Sequence, residues 1–127
     1  MASYVLVVDD EASVRGFLTR RLEAWGYPAR EAKDSTQALE MMSAEPADIV
    51  FVDLRMPGRD GLWLTEQIRQ AWSDTAIVIA TGADDFPSVE KARKLGAVDY
   101  VLKPFDQTML RQALGRAFEA LGRGKED

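Results

Sequence analysis

Five short apolar runs, each followed by an amphipathic stretch, predict an α/β domain: a doubly wound, five-stranded parallel sheet with helices on both faces. Two further observations refine this. The runs at residues 4–8 (YVLVV), 48–52 (DIVFV) and 76–80 (AIVIA) are nearly continuous in apolar residues, as strands covered on both faces require. The weaker run at 28–32 carries Arg30 and Glu31, so it belongs at an edge, which fits the strand order 2-1-3-4-5.

The elements follow in order. After the first strand, residues 12–25 form a helix with Val14, Phe17, Leu18, Leu22 and Trp25 on one face, stopped by Gly26. The edge strand at 28–32 leads to a second helix at 35–43, with Ala38, Leu39 and Met42 inward. The third strand ends at Asp53, the turn Met56-Pro57-Gly58 follows, and Asp60 caps a third helix at 61–71. In that helix Leu62, Leu64 and Ile68 compete for the inner face, which leaves Trp63 partly exposed. The fourth strand precedes a short helix at 88–95 closed by Gly96. A fifth strand at 97–102 and a last helix at 107–121, with Leu110, Leu114, Ala117 and Leu121 inward, complete the set. Residues 1–121 therefore read as one domain, and 122–127 (GRGKED) as a flexible tail or the start of a linker.

Composition narrows the function classes. The chain has 127 residues and a formal net charge of −5, which argues against direct binding to nucleic acid or to an anionic membrane. There is no cysteine, hence no disulfide framework and no thiolate metal site. There is no histidine, so the chain cannot carry phosphohistidine. No apolar run approaches the ~20 residues of a membrane span, and the start shows no charged n-region or cleavage site, so a cytoplasmic protein is expected.

In open α/β sheets, ligands bind beyond the carboxyl ends of the strands. There the sequence puts Asp9, Asp10 and Glu11 after strand one, Asp53 at the end of strand three, Thr81 and Gly82 after strand four, and Lys103 and Pro104 after strand five. Like charges ~4 Å apart repel by roughly 4 kcal/mol at an effective dielectric near 20. Several carboxylates on one rim therefore call for positive charge, from Lys103 and from a hard divalent cation such as magnesium. A carboxylate can attack phosphorus, and phosphoryl transfer asks the protein mainly for alignment and charge stabilisation.

Four segments carry a specific resemblance: VVDDE (7–11), DLRMPGRDG (53–61), ATG (80–82) and GAVDYVLKPF (96–105). Together, in this order and each at a strand end, they resemble the receiver domains of two-component response regulators over residues 4–121. The resemblance implies a flavodoxin-like (βα)5 fold and a role for each matching position. Asp53 corresponds to the phosphoacceptor, Asp10 to the main metal-binding carboxylate with Asp9 beside it, and the backbone carbonyl of Arg55 to a further metal ligand. Thr81 matches the hydroxyl that bonds the phosphoryl group, Lys103 the family's lysine, and Tyr100 the aromatic that moves with Thr81 on activation. Pro104 matches a proline that follows a cis peptide. Arg55 and Ala83 sit at positions that influence phosphoryl lifetime: Ala83 leaves room for an attacking water, whereas Arg55 could screen or clamp the group.

The implied cofactor is Mg2+, with Mn2+ or Ca2+ as alternatives in crystals. The implied partners are a sensor histidine kinase or phosphotransfer protein, and an output domain or effector. A homodimer through the face of helix four, strand five and helix five is a further implied contact. Helix four is short, with Pro87 at its start and Lys91, Arg93 and Lys94 along it, and its few apolar anchors suit a movable element. The domain is expected to turn over once, not to act as an enzyme. Three rival functions fit the residues less well. An aspartyl-nucleophile phosphohydrolase of the haloacid-dehalogenase kind needs a second aspartate where this chain has Arg55. An interaction scaffold that has abandoned phosphate would have lost an acid, the acceptor or the lysine, and all are present. A flavin carrier needs a hydroxyl- and glycine-rich loop where Asp9, Asp10 and Glu11 stand.

Overall fold

The computed structural model describes residues 3–126, and of residues 123–126 the helical backbone alone. Five strands run as β1 (Val5–Val8), β2 (Ala29–Ala32), β3 (Ile49–Val52), β4 (Ala76–Gly82) and β5 (Asp99–Lys103). Five helices follow them: α1 (Ala12–Ala24), α2 (Ser35–Ala44), α3 (Gly61–Ala71), α4 (Phe86–Lys94) and α5 (Gln107–Glu126). All neighbouring strands are parallel, in the order β2-β1-β3-β4-β5. The expected fold class and strand order are observed, with the charged second strand at the edge.

Successive side chains of a strand point to opposite faces. Leu6, Val8, Val50, Val52, Ile77 and Ile79 meet Ala38 and Met42 of α2, Leu64 and Ile68 of α3, and Val89 and Ala92 of α4. Val5, Val7, Ile49, Phe51, Val78 and Val101 meet Leu18 and Leu22 of α1 and Leu110, Ala113, Leu114 and Ala117 of α5. Three helices thus cover one face and two the other.

Glycines 26 and 96, at φ 92° and 114°, stop α1 and α4 in the left-handed region that other residues rarely enter. The expected cap of α3 forms: the Trp63 N–H donates to Asp60 Oδ1 at 3.0 Å. Asp34 caps α2 in the same way through the Gln37 N–H at 2.8 Å. Trp63 is half-buried, with the Arg59 guanidinium 4.4 Å above its ring.

Four expectations are corrected. Phe17 does not lie inward: it is exposed and stacks on Phe105 at 6.4 Å, while Thr19 takes a buried place on α1 and donates to the Arg15 carbonyl at 3.0 Å. The packed stripe of α1 is rotated toward Leu18, Thr19 and Leu22. β4 and β5 run further than the apolar runs do, because Thr81 pairs with Leu102 and Gly82 with Lys103. Helix α4 begins at Phe86, after a 3-10 turn at Ala83–Asp85, so Pro87 lies within its first turn. Finally, α5 continues through Gly122 to Glu126 and does not end at Leu121, and Asp127 lies outside the described residues. Glycine in a helix costs about 1 kcal/mol but stops it only by turning left-handed, and Gly122 is not among the left-handed glycines.

Candidate functional site

The site stands where the sheet order reverses, above the carboxyl ends of β1, β3, β4 and β5. β1 delivers Asp9 and Asp10, β3 delivers Asp53, and the last turns of the β4–β5 ladder deliver Thr81 and Lys103. Asp53 is held from below, because its N–H donates to the Val8 carbonyl of β1 at 3.0 Å. From the side, the start of α3 presses on it. A Cβ at Gly61 would lie 2.2 Å from the Asp53 carbonyl oxygen, and the Gly61 N–H donates to the Leu54 carbonyl at 3.1 Å. Only glycine permits that approach.

Both oxygens of the buried Asp53 are engaged. Oδ1 accepts from the Thr81 hydroxyl at 2.9 Å and from the Arg55 N–H at 3.2 Å. Oδ2 accepts from Lys103 Nζ at 3.1 Å. The same ammonium lies 3.0 Å from Asp9 Oδ2 and 3.7 Å from Glu11 Oε1. It stands at the end of β5, and the Lys103–Pro104 peptide that follows is cis.

Asp9, Asp10 and Asp53 each offer a carboxylate oxygen, and these oxygens lie within 4.8 Å of one another. Asp9 is 1% exposed, whereas Asp10 faces solvent. Burial pushes the Asp9 carboxyl up to about 6, against the downward pull of the Glu11 N–H and Lys103. For Lys103, burial pulls the ammonium down, but the adjoining carboxylates of Asp9 and Asp53 outweigh it, and the net shift is upward. Asp9 Oδ1 accepts from the Glu11 N–H at 2.8 Å, while Oδ2 is buried without a hydrogen-bond donor in usable geometry, despite the nearby ammonium. One ammonium among three acids, with an orphaned carboxylate oxygen between them, fits a hard cation that takes oxygen ligands.

A cavity of about 260 Å³ opens over these groups, lined by Asp10, Asp53, Arg55, Gly82, Asp85 and Lys103 among others. It has room for a small anion and a hydrated ion. The chain residues 5–115 match the family model described as the response regulator receiver domain. This chain is a response-regulator receiver domain. The "Probable transcriptional regulator ycf27" of Guillardia theta is 38% identical over 120 residues, which is 91% of this chain and 47% of that protein. The "DNA-binding transcriptional regulator NtrC" of Escherichia coli (strain K12) is 37% identical over 80% of this chain and 22% of its own length. Among solved structures, the receiver domain of NtrX from Brucella abortus superposes with a TM-score of 0.87 at 31% identity, covering 91% of this chain and 98% of that one. The receiver domain thus spans about half or less of the curated relatives named here. No helix among its described residues is long and apolar enough to cross a membrane.

The structure brings Asp9, Asp10, Asp53, Thr81, Arg55 and Lys103 to one rim. Tyr100 is half-buried on β5, away from that rim, and meets the Phe86 ring edge-on at 5.6 Å and 69°. The Arg55 guanidinium pairs with Asp85 at 2.8 Å. Sequence reasoning missed Asp85 and Phe86. No motif marks either of them, and each reaches its place only because the 3-10 turn at Ala83–Asp85 folds back over the end of β4.

Proposed function

We propose that the receiver domain takes one phosphoryl group onto Asp53 from a phosphohistidine donor, a sensor kinase or phosphotransfer protein of the cytoplasm. The observation that carries this reading is the convergence of Thr81 and Lys103 on the two oxygens of one buried carboxylate, with Asp9 and Asp10 within reach. An oxygen of Asp53 forms the new P–O bond as the donor's P–N bond breaks, and the electron pair leaves with the donor imidazole. Lys103 and Thr81 are positioned to bond the transferred oxygens, and Lys103 offsets their charge. Asp9, Asp10, Asp53 and the Arg55 backbone carbonyl would hold Mg2+, which when bound supplies further positive charge to the phosphoryl oxygens. Manganese or calcium would be held by the same oxygens.

The domain is a single-turnover acceptor in this reading, with slow loss of the group to water. Thr81 and Tyr100 then change the face of α4, β5 and α5, which meets an output domain, an effector or a second copy. The relatives' longer chains and their names as transcriptional regulators support an output outside residues 1–121. Intact-mass spectrometry after treatment with acetyl phosphate and MgCl2 tests the central step. One added phosphoryl group, lost in Asp53→Asn, is expected. An unmodified wild-type mass, or modification that survives Asp53→Asn, would overturn it.

A further inference from the structure

Four helices among the described residues, α2 to α5, follow an aspartate, and three of these aspartates cap: Asp106 accepts from the Thr108 N–H at 2.7 Å and the Met109 N–H at 3.2 Å. Asp34 accepts from the Gln37 N–H at 2.8 Å and Asp60 from the Trp63 N–H at 3.0 Å. Asp85, the N-cap of α4, makes no side-chain capping bond. Its carboxylate points back to the acceptor site instead. Oδ1 accepts from Arg55 Nη2 at 2.8 Å, and Oδ2 lies 3.3 Å from the Thr81 hydroxyl that bonds Asp53. The backbone differs to match. Asp34 and Asp60 have the extended ψ of 176° and 178° usual at a cap, whereas Asp85 has ψ 7° and closes the 3-10 turn.

We infer that Asp85 is a positioning residue with two exclusive sets of partners: Arg55 and Thr81 while Asp53 is unmodified, and the first turn of α4 once Asp53 carries its phosphoryl group. The inference rests on the phosphoacceptor reading and adds a route from that site to α4. In the unmodified chain the Asp85 carboxylate holds the Arg55 guanidinium on the rim of the cavity that a phosphoryl group would enter, and lies beside the Thr81 hydroxyl, whose one proton it shares with Asp53. A phosphoryl group brings about −1.5 to −2 charge and three acceptor oxygens. It competes for Arg55 with two-pronged geometry that a single carboxylate oxygen does not match, takes the Thr81 hydroxyl, and repels Asp85.

Released, Asp85 has one donor to cap. A cap accepts from the second or third residue of the helix, and the second is Pro87, which has no N–H, so the bond goes to Ser88. That bond requires the extended backbone of Asp34 and Asp60. Forming it opens the 3-10 turn and re-aims the first turn of α4, which carries Phe86 and its ring contact with Tyr100. Displaced charge at the acceptor thus becomes a movement of α4.

Amide hydrogen exchange at Ser88, read by NMR beside intact mass, tests this. In wild type, added phosphoryl mass is expected to come with exchange slowed about fivefold, the protection an ordinary cap confers. Asp85→Ala is expected to gain the same mass with no slowing. Equal slowing in Asp85→Ala would overturn the inference. Arg55→Ala without phosphate leaves Asp85 Oδ1 without its donor and is expected to slow Ser88 part-way. If no mass is added to wild type, the phosphoacceptor reading fails, and the Arg55→Ala arm then decides the Asp85 question by itself. Slowed exchange there supports the two sets of partners, and unchanged exchange overturns them.

Discussion

At Lys103, a single ammonium faces Asp9, Asp53 and Glu11 at 3.0, 3.1 and 3.7 Å. Removing it strands buried carboxylates, and leaving such groups unpartnered costs about 1–3 kcal/mol. Lys103→Ala is therefore expected to lose about that much stability in chelator by urea denaturation, with part of the loss restored by MgCl2. No restoration would mean that the acids do not gather a cation. Asp9 adds a pH dependence. Its folded value of about 6 stands above the ordinary 3.8, so its contribution to stability without metal is full below about 3.8 and is lost as pH rises through about 6. A bound cation needs the ionised carboxylate, so protons compete with it. Magnesium affinity by calorimetric titration is expected to fall as pH is lowered from 7.5 to 5, and a flat profile would contradict the role of Asp9. The residue types of this cluster were legible in sequence, because acids, hydroxyl and lysine each follow a strand. Asp85 was not, since nothing local to the Asp84-Asp85 pair says which carboxylate folds back and which faces solvent.

Among the elements, α3 is the one most closely tied to the site. Its first residue, Gly61, lies so near the Asp53 and Leu54 backbone that an added methyl would meet the Asp53 oxygen at 2.2 Å. Overpacking of this kind costs about 1–3 kcal/mol, because backbone must move where no side chain can swing aside. Gly61→Ala is expected to lower the melting temperature and to slow labelling of Asp53 by acetyl phosphate. Unchanged labelling would show that α3 does not hold the acceptor in place. The start of α3 was readable from Asp60, whose short acceptor satisfies an exposed N–H group within three residues. The ends of β4, β5 and α5 were not. Polar Thr81 and Lys103 extend strands because the neighbouring strand supplies a ladder partner, which no local pattern encodes. Gly122 does not end α5, because a helix persists unless glycine turns left-handed.

Across the whole molecule, the two hydrophobic clusters lie on opposite faces of one sheet and share its strands, so neither can open without the other. Ile77 belongs to one cluster and Leu114 to the other. Each truncation to alanine is expected to cost about 2–5 kcal/mol. In both variants circular dichroism and tryptophan fluorescence should report one coincident transition. Separate transitions would mean that the faces fold independently. The order of elements, the parallel sheet, its charged edge strand and the placing of the acids at the strand ends were legible in pattern and residue type, since periodicity and burial act over a few neighbours. How Thr81 and Lys103 converge on the Asp53 oxygens and where the Asp85 carboxylate points depend on contacts between segments about 28 to 50 residues apart. Such contacts exist only once the strands have paired and the helices have docked, so short-range chemistry alone could not specify them.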